Sequence, residues 1–242
     1  MTNILQYTTE TYAKHLELIL FTGISFIIAL LIPIFASFPT YSDMGAIFIR
    51  TASIYLNLTP VSAGIIIIST LFSLIFLSFA IVAINVIVKH SRTHTRIRRE
   101  VIEGLERYTS RVFAVLLLFT ALVVLFNIAT YFQPYSKAAT ALFGLIISPL
   151  FLYAPASIVI DDKKIFRAIK ASIIFSIKRF DYLLLWVLLS IALLSVVDLF
   201  GIAISGVLST YIVLFINSIV VLPFMVLLQS EMYIKRFALL KR

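Results

Sequence analysis

The sequence predicts an all-α, polytopic membrane bundle, and three observations predict it. Of its 242 residues, 62% are hydrophobic and 13% charged, against roughly 45–50% and about 25% in soluble domains. The mean hydropathy is +1.10, and a soluble fold of this size cannot hide that much apolar surface. The apolar residues also gather into six runs, each near the roughly 20 residues that cross a bilayer core of about 30 Å as helix. Alternating apolar ten-mers, the mark of a membrane β-barrel, are absent. The whole chain, 1–242, reads as a single integral membrane domain of six spans with amphipathic surface helices on the cytoplasmic side.

The first span covers about 16–35 (LELILFTGISFIIALLIPIF). It is longer than a signal-peptide core and only Lys14 precedes it as a cation, so it reads as an uncleaved span. The following stretch, 36–60, is the longest outer loop. Within it, 44–58 sets Arg50, Ser53 and Asn57 on one stripe amid apolar residues, as a short interfacial or re-entrant helix would. The second span covers about 61–88. The link after it carries an amphipathic stripe, Ile97, Val101, Ile102, Leu105 and Tyr108, with Arg99, Glu103 and Arg107 at i,i+4 spacing. Part of that link extends the second and third spans. The third and fourth spans cover about 112–132 and 138–160. In the fourth, Gly144-x-x-x-Ser148 is a pattern for close helix contact, and Pro149 and Pro155 invite kinks.

The link after the fourth span repeats Ile165, Phe166, Ile169, Ile173, Ile177 and Phe180 at spacings of three and four. Asp161 suits its N-cap and Asp162 its positive end. Two readings fit: an interfacial helix that turns its cations to anionic headgroups, or a helix packed under the bundle with solvated cations. On the first reading Lys163, Lys164, Arg167 and Lys170 are the headgroup contacts. The fifth and sixth spans cover about 182–203 and 207–228. Pro33 and Pro223 are further kink candidates.

Charge orients the bundle. Of the 20 Lys and Arg residues, only Arg50 and Lys137 fall on one side; the other 18 lie in the two links and the terminal segments. The positive-inside rule therefore puts both termini in the cytoplasm of a multi-pass protein. The net charge of +9 is then a topology signal, and nucleic-acid binding is excluded because no aromatic or Gly-rich reader accompanies the cations. Sliding the chain by 72 residues aligns the links, Ile97 with Ile169, Leu105 with Ile177, Arg107 with Arg179 and Tyr108 with Phe180. A repeated unit of span, surface helix and span would do this.

Two short motifs carry a resemblance. The chain reads P-A-S-I-V-I-D-D-K-K-I-F-R-A-I-K-A-S from Pro155 to Ser172 and E-M-Y-I-K-R from Glu231 to Arg236. These stretches resemble a diffuse group of prokaryotic six-helix membrane proteins. It includes uncharacterised inner-membrane families and the membrane domain of some glycerophosphoryl diester phosphodiesterases. The resemblance covers the chain from Pro155 onward; where an aromatic often follows the serine in that group, this chain has Ile173. It implies a fold and residence in the plasma membrane of a prokaryote. It implies no reaction, since no counterpart of the phosphodiesterase domain is present.

Catalytic chemistry is not legible. Without cysteine there is no thiolate nucleophile or Cys-ligated metal. His90-x-x-x-His94 lacks a third ligand and sits among arginines. No Gly-rich phosphate loop and no Gly-x-Ser-x-Gly occurs. The expectation is a non-enzymatic protein without catalytic residues, metal or cofactor. Polar groups inside spans remain as candidates: Asp198, Asn217 and Asn127. Asp198 either lines a polar route or caps the outer end of the fifth span at the headgroups.

Two functions follow. One is a scaffold, assembly factor or accessory subunit that engages anionic membrane lipids, a membrane protein partner or a second copy of itself through its basic links. The alternative is a small transporter or channel with Asp198, Asn217 and Asn127 lining a polar route.

Overall fold

A computed structural model describes residues 2–35, 40–41, 48–49, 60–91, 97–204 and 207–238. These residues are helical apart from short turns and one two-residue antiparallel ladder, β1 (Thr40–Tyr41) with β2 (Phe48–Ile49). The helix predicted over 44–58 therefore does not form at Phe48 and Ile49, an aromatic and a β-branched residue that suit a pleated backbone. The remainder of that stretch lies outside the described residues.

Five helices are long and apolar enough to cross a membrane. The first is α3 (Pro60–His90) and the second α4 (Ile97–Thr130). The third is α5 (Ser136–Leu152) continued by α6 (Ala154–Asp161). After α7 (Ile165–Lys178) comes the fourth, α8 (Phe180–Ala203). The fifth is α9 (Val207–Ile216), carried through a π-helical segment (Asn217–Val221) into α10 (Leu222–Ala238). A sixth exists if α1 (Thr2–Lys14) and α2 (Leu16–Phe35), bent by 89° from each other, count as one.

Helix α1 is not foreseen by hydropathy, because its sequence is polar. It forms by docking. Ile4 and Thr8 are buried on one stripe, and Tyr12 follows at the same spacing. The Tyr12 hydroxyl donates to the Ile219 carbonyl at 3.1 Å. That carbonyl lies four residues before Pro223, which has no N–H to return to it. A side chain from the N-terminus thus takes the acceptor that a proline in the last span releases.

From Ile97 onward the first basic link is the end of a rod. Helix α4 runs unbroken for 34 residues, about 51 Å at 1.5 Å per residue, well beyond a bilayer core. The second link departs from the repeat here, because its helix α7 is cut from α8 at Arg179 (φ −124, ψ 50). Arg179 grips Asp181 with two hydrogen bonds, 3.1 and 3.0 Å, and lies 3.8 Å from the Tyr182 ring centre.

Burial concentrates at the ends of the helices nearest the basic links. The buried residues of α3 run from Leu74 to Val88, those of α6 from Ala154 to Val159, and those of α10 include Leu227–Tyr233. By contrast Leu142, Leu145 and Ile146 of α5 and Leu199, Phe200 and Ile202 of α8 stay exposed. A bundle in lipid can leave apolar side chains on its outer surface without penalty. Gly144 has no atom within 4 Å of where a Cβ would stand, so among the described residues the predicted small-residue contact at Gly144 is not used.

Candidate functional site

The fourth span breaks where its prolines require it. Pro155 cannot donate to Phe151, and its ring crowds that carbonyl, so α5 ends at Leu152 and α6 starts at Ala154. The break separates two groups that an unbroken helix would join, the Tyr153 N–H and the Pro149 carbonyl. Helix α7 supplies a side-chain partner for each, and the Tyr153 N–H also turns back toward the Phe151 carbonyl. Tyr153 N–H donates to Ser172 Oγ at 3.0 Å, and Ser176 Oγ donates to the Pro149 carbonyl at 2.7 Å. Ser172 and Ser176 are four apart, so one face of α7 carries both. Two longer reaches complete the splint: Gln229 of α10 donates to the Leu152 carbonyl, and Lys89 of α3 to the Val159 carbonyl at 2.8 Å.

The two acids after the break do not cap α7, as the sequence suggests. Its N-cap is Lys164, with no side-chain cap. Asp161 instead accepts from the Tyr233 hydroxyl at 2.7 Å and from Lys163 Nζ at 2.6 Å, with Lys163 Nζ also 3.3 Å from that hydroxyl. Asp162 adopts a left-handed backbone, φ 52, as the C-cap of α6. Its carboxylate takes Arg111 Nη1 at 2.8 Å and Arg107 Nη2. Partial desolvation pushes the Asp162 carboxyl up, but the hydrogen bonds and charges of Arg111 and Arg107 outweigh that and hold it below the ordinary carboxylate range. The acids tie the break to α10 and α4 because cations and a hydroxyl there outcompete backbone N–H groups as donors.

Aromatic rings fill the space behind these ties. Tyr153, Phe175 and Tyr233 pack with ring centres 4.6–6.3 Å apart, and Tyr182 adjoins Phe175 at 6.5 Å. The residues quoted for the family resemblance, Pro155, Asp161, Ser172 and Tyr233, thus meet at one junction.

The buried face of α7 only borders its isoleucine stripe: Ile165 and Ile169 are half-buried against the core, and Ile177 is exposed. Ala168, Ser172, Phe175 and Ser176 are buried, within about 100° of arc at 3.6 residues per turn. The small residues let α7 approach the span break closely. Opposite them, Phe166, Ile174 and Ile177 are exposed together with Arg167, Lys170 and Lys178. Lys164 is exposed just before the helix. Of the four predicted headgroup contacts, Lys164, Arg167 and Lys170 face outward, whereas Lys163 is drawn in toward Asp161 and Tyr233.

The intramembrane candidates lie in separate helix contacts. Asn127 of α4 donates to Thr140 Oγ1 of α5 at 3.0 Å. Asn217 is buried in the π segment beside Ser218, and its amide atoms and the Ser218 hydroxyl have no hydrogen-bond partner among the described residues. The backbone there lies against Gly23 of α2, where a Cβ would stand 3.2 Å from Ile219 Cα. Asp198 is half-buried in the last turns of α8. Among the described residues no group of three or more acids and histidines could hold a metal ion.

No family model, curated protein or solved structure matches this chain. The functional reading therefore rests on the junction itself.

Sequence reasoning missed Ser176, Tyr12, Gln229 and the pairing of Asp161 and Asp162. The available signal was chemical: a proline-broken span needs outside partners for its backbone, and two serines four apart on the next helix could supply them.

Proposed function

We propose that this protein is a non-enzymatic, multi-pass protein of the prokaryotic plasma membrane, with both termini cytoplasmic. It acts as a scaffold, assembly factor or accessory subunit whose cytoplasmic face engages anionic lipid headgroups. One observation carries the reading. Helix α7 is fastened by its small-residue face, leaving Phe166, Ile174 and Ile177 exposed on the same side as Arg167, Lys170 and Lys178. A solvated helix would not expose three large apolar side chains there, whereas an interfacial helix buries them in the acyl boundary and leaves its cations among the phosphates. Each such cation contributes about 1 kcal/mol near an anionic leaflet, within a Debye length.

The test uses the intact protein in nanodiscs. Lys164, Arg167, Lys170 and Lys178 are changed together to Gln, and association of fluorescent phosphatidylglycerol is compared with that of phosphatidylcholine. The expected result is a loss of phosphatidylglycerol preference that added salt reproduces in the unaltered protein. An unchanged preference refutes the reading.

A second reading, a small transporter or channel, is favoured by the buried, unpartnered polar atoms of Asn217 and Ser218 inside a π segment, a helix irregularity common at functional sites. A cysteine put at Asn217 in this naturally cysteine-free chain reports on it. Rapid labelling by a polar thiol reagent supports a water-filled route, and protection refutes it.

A further inference from the structure

Three cations surround one buried ring in the N-terminal third of α4. The Tyr108 side chain is buried, and Lys89 Nζ, Arg107 Cζ and Arg111 Cζ lie 5.4, 5.3 and 6.0 Å from its ring centre. Neighbouring acids of the groove have other partners: Glu103 pairs with Arg99 at 2.8 Å, and Glu100 faces His90 at 3.6 Å. Lys89 meets a backbone carbonyl. Of the carboxylates near Tyr108, Asp162 is the one in an ion pair with Arg107 and Arg111, while Glu100 and Glu103 line the groove on the Lys89 side. The Asp162 carboxylate is held in a left-handed backbone that costs a non-glycine residue energy. Arg107 and Arg111 are four apart on one helix face and aim both guanidinium groups at the same point, the fork geometry that suits phosphate oxygens. The fork holds Asp162 but reaches solvent, with Arg107 59% and Arg111 35% exposed.

We infer that Arg107, Arg111 and Lys89 form a binding site for the phosphate group of one anionic phospholipid, with Asp162 occupying the fork as an internal competitor. The phosphate brings negative charge to two guanidinium groups that share one carboxylate. Basic pockets between spans on the cytoplasmic side take headgroups in this manner. The inference deepens the lipid reading of α7 and assigns a single held lipid, distinct from the lipids that α7 attracts by its charge.

Native mass spectrometry of the intact protein, in mild detergent titrated with phosphatidylglycerol, reads the site. The unaltered chain should retain one lipid. Arg107→Gln with Arg111→Gln should weaken its retention at least about tenfold, the worth of charge-assisted hydrogen bonds lost. Asp162→Asn should tighten retention about three- to tenfold, since it releases two surface ion pairs. This second variant guards against misfolding, because Asn tolerates the left-handed backbone and the expected gain is confined to one bound phosphatidylglycerol, whereas a damaged fold would gather several lipids without selectivity. Changing Lys164, Arg167 and Lys170 to Gln should leave the single lipid in place. If that triple variant loses the lipid while the arginine variant keeps it, the site is overturned and the α7 reading survives. If the arginine variant loses it while α7 variants never affect lipid preference, the site stands and the α7 reading falls. Weaker retention in Asp162→Asn overturns the competitor role. Displacement of the lipid by equimolar inorganic phosphate overturns the lipid assignment in favour of free phosphate.

Discussion

Replacing Ser172 by alanine removes one oxygen atom and leaves the Tyr153 N–H with only the Phe151 carbonyl, two residues back, as acceptor. Ser172 and Tyr153 are both fully buried, and Ser176 is 2% exposed, so water cannot stand in. A buried donor left wholly without an acceptor costs about 1–3 kcal/mol, and an i to i−2 carbonyl is too poorly aligned to recover most of that. Interhelical hydrogen bonds in membrane proteins average about 0.6 and reach about 1.7 kcal/mol. Each of Ser172→Ala and Ser176→Ala should therefore destabilise by about 1–1.5 kcal/mol. Their combination should cost less than the sum. The two groups orphaned, the Tyr153 N–H and the Pro149 carbonyl, are the donor and acceptor of one ordinary helical bond, and in the double variant they can pair with each other. The assay is a double-mutant cycle on reversible unfolding of the whole protein in bicelles. Additive costs would refute the idea that the serines serve two halves of one broken bond. Costs below about 0.3 kcal/mol for both single variants would refute the splint itself.

Three further outcomes are expected. Gly104→Ala places a Cβ 2.5 Å from Val86 Cγ2, so it should destabilise the α3–α4 contact by about 1–3 kcal/mol, and Val86→Ala should restore most of the loss in the same unfolding assay. Tyr12→Phe deletes the donor to the Ile219 carbonyl and should speed proteolysis within α1, whereas in a Pro223→Ala background, where the helix can supply its own N–H, the same change should have little effect. The Asp162 tie depends on pH: its carboxyl is depressed in the folded state, so the stabilisation is complete above the ordinary value of 3.8 and is lost as pH falls through the lowered one. Acid should thus selectively speed hydrogen exchange at the α6 end, and Asp162→Asn should abolish that acid sensitivity.

The sequence by itself determined the class of molecule. Apolar content and run length are properties of each segment alone, and the bilayer fixes the length that matters, so α3, α4, α8 and the α9–α10 span are legible without a structure. The helix of α7 was legible too, from the three- and four-residue spacing of Ile165, Ile169, Ile173 and Ile177. How far its buried face turns away from that stripe was not: Ile165 and Ile169 pack against the core, but Ile177 is exposed. In a soluble protein the isoleucines would mark the core, but near lipid an apolar side chain has two apolar environments to choose from. Tertiary structure made the choice through the Pro149–Pro155 break, whose orphaned backbone groups need Ser172 and Ser176. The same holds for Asp161 and Asp162. As local signals they suit a helix cap, yet Tyr233, Lys163, Arg107 and Arg111 offer stronger donors once the chain is folded. Helix α1 likewise has no hydropathy of its own to announce it and forms where Tyr12 meets the carbonyl released by Pro223. Pairings between distant residues depend on where two segments meet, and periodicity along one segment carries no record of that.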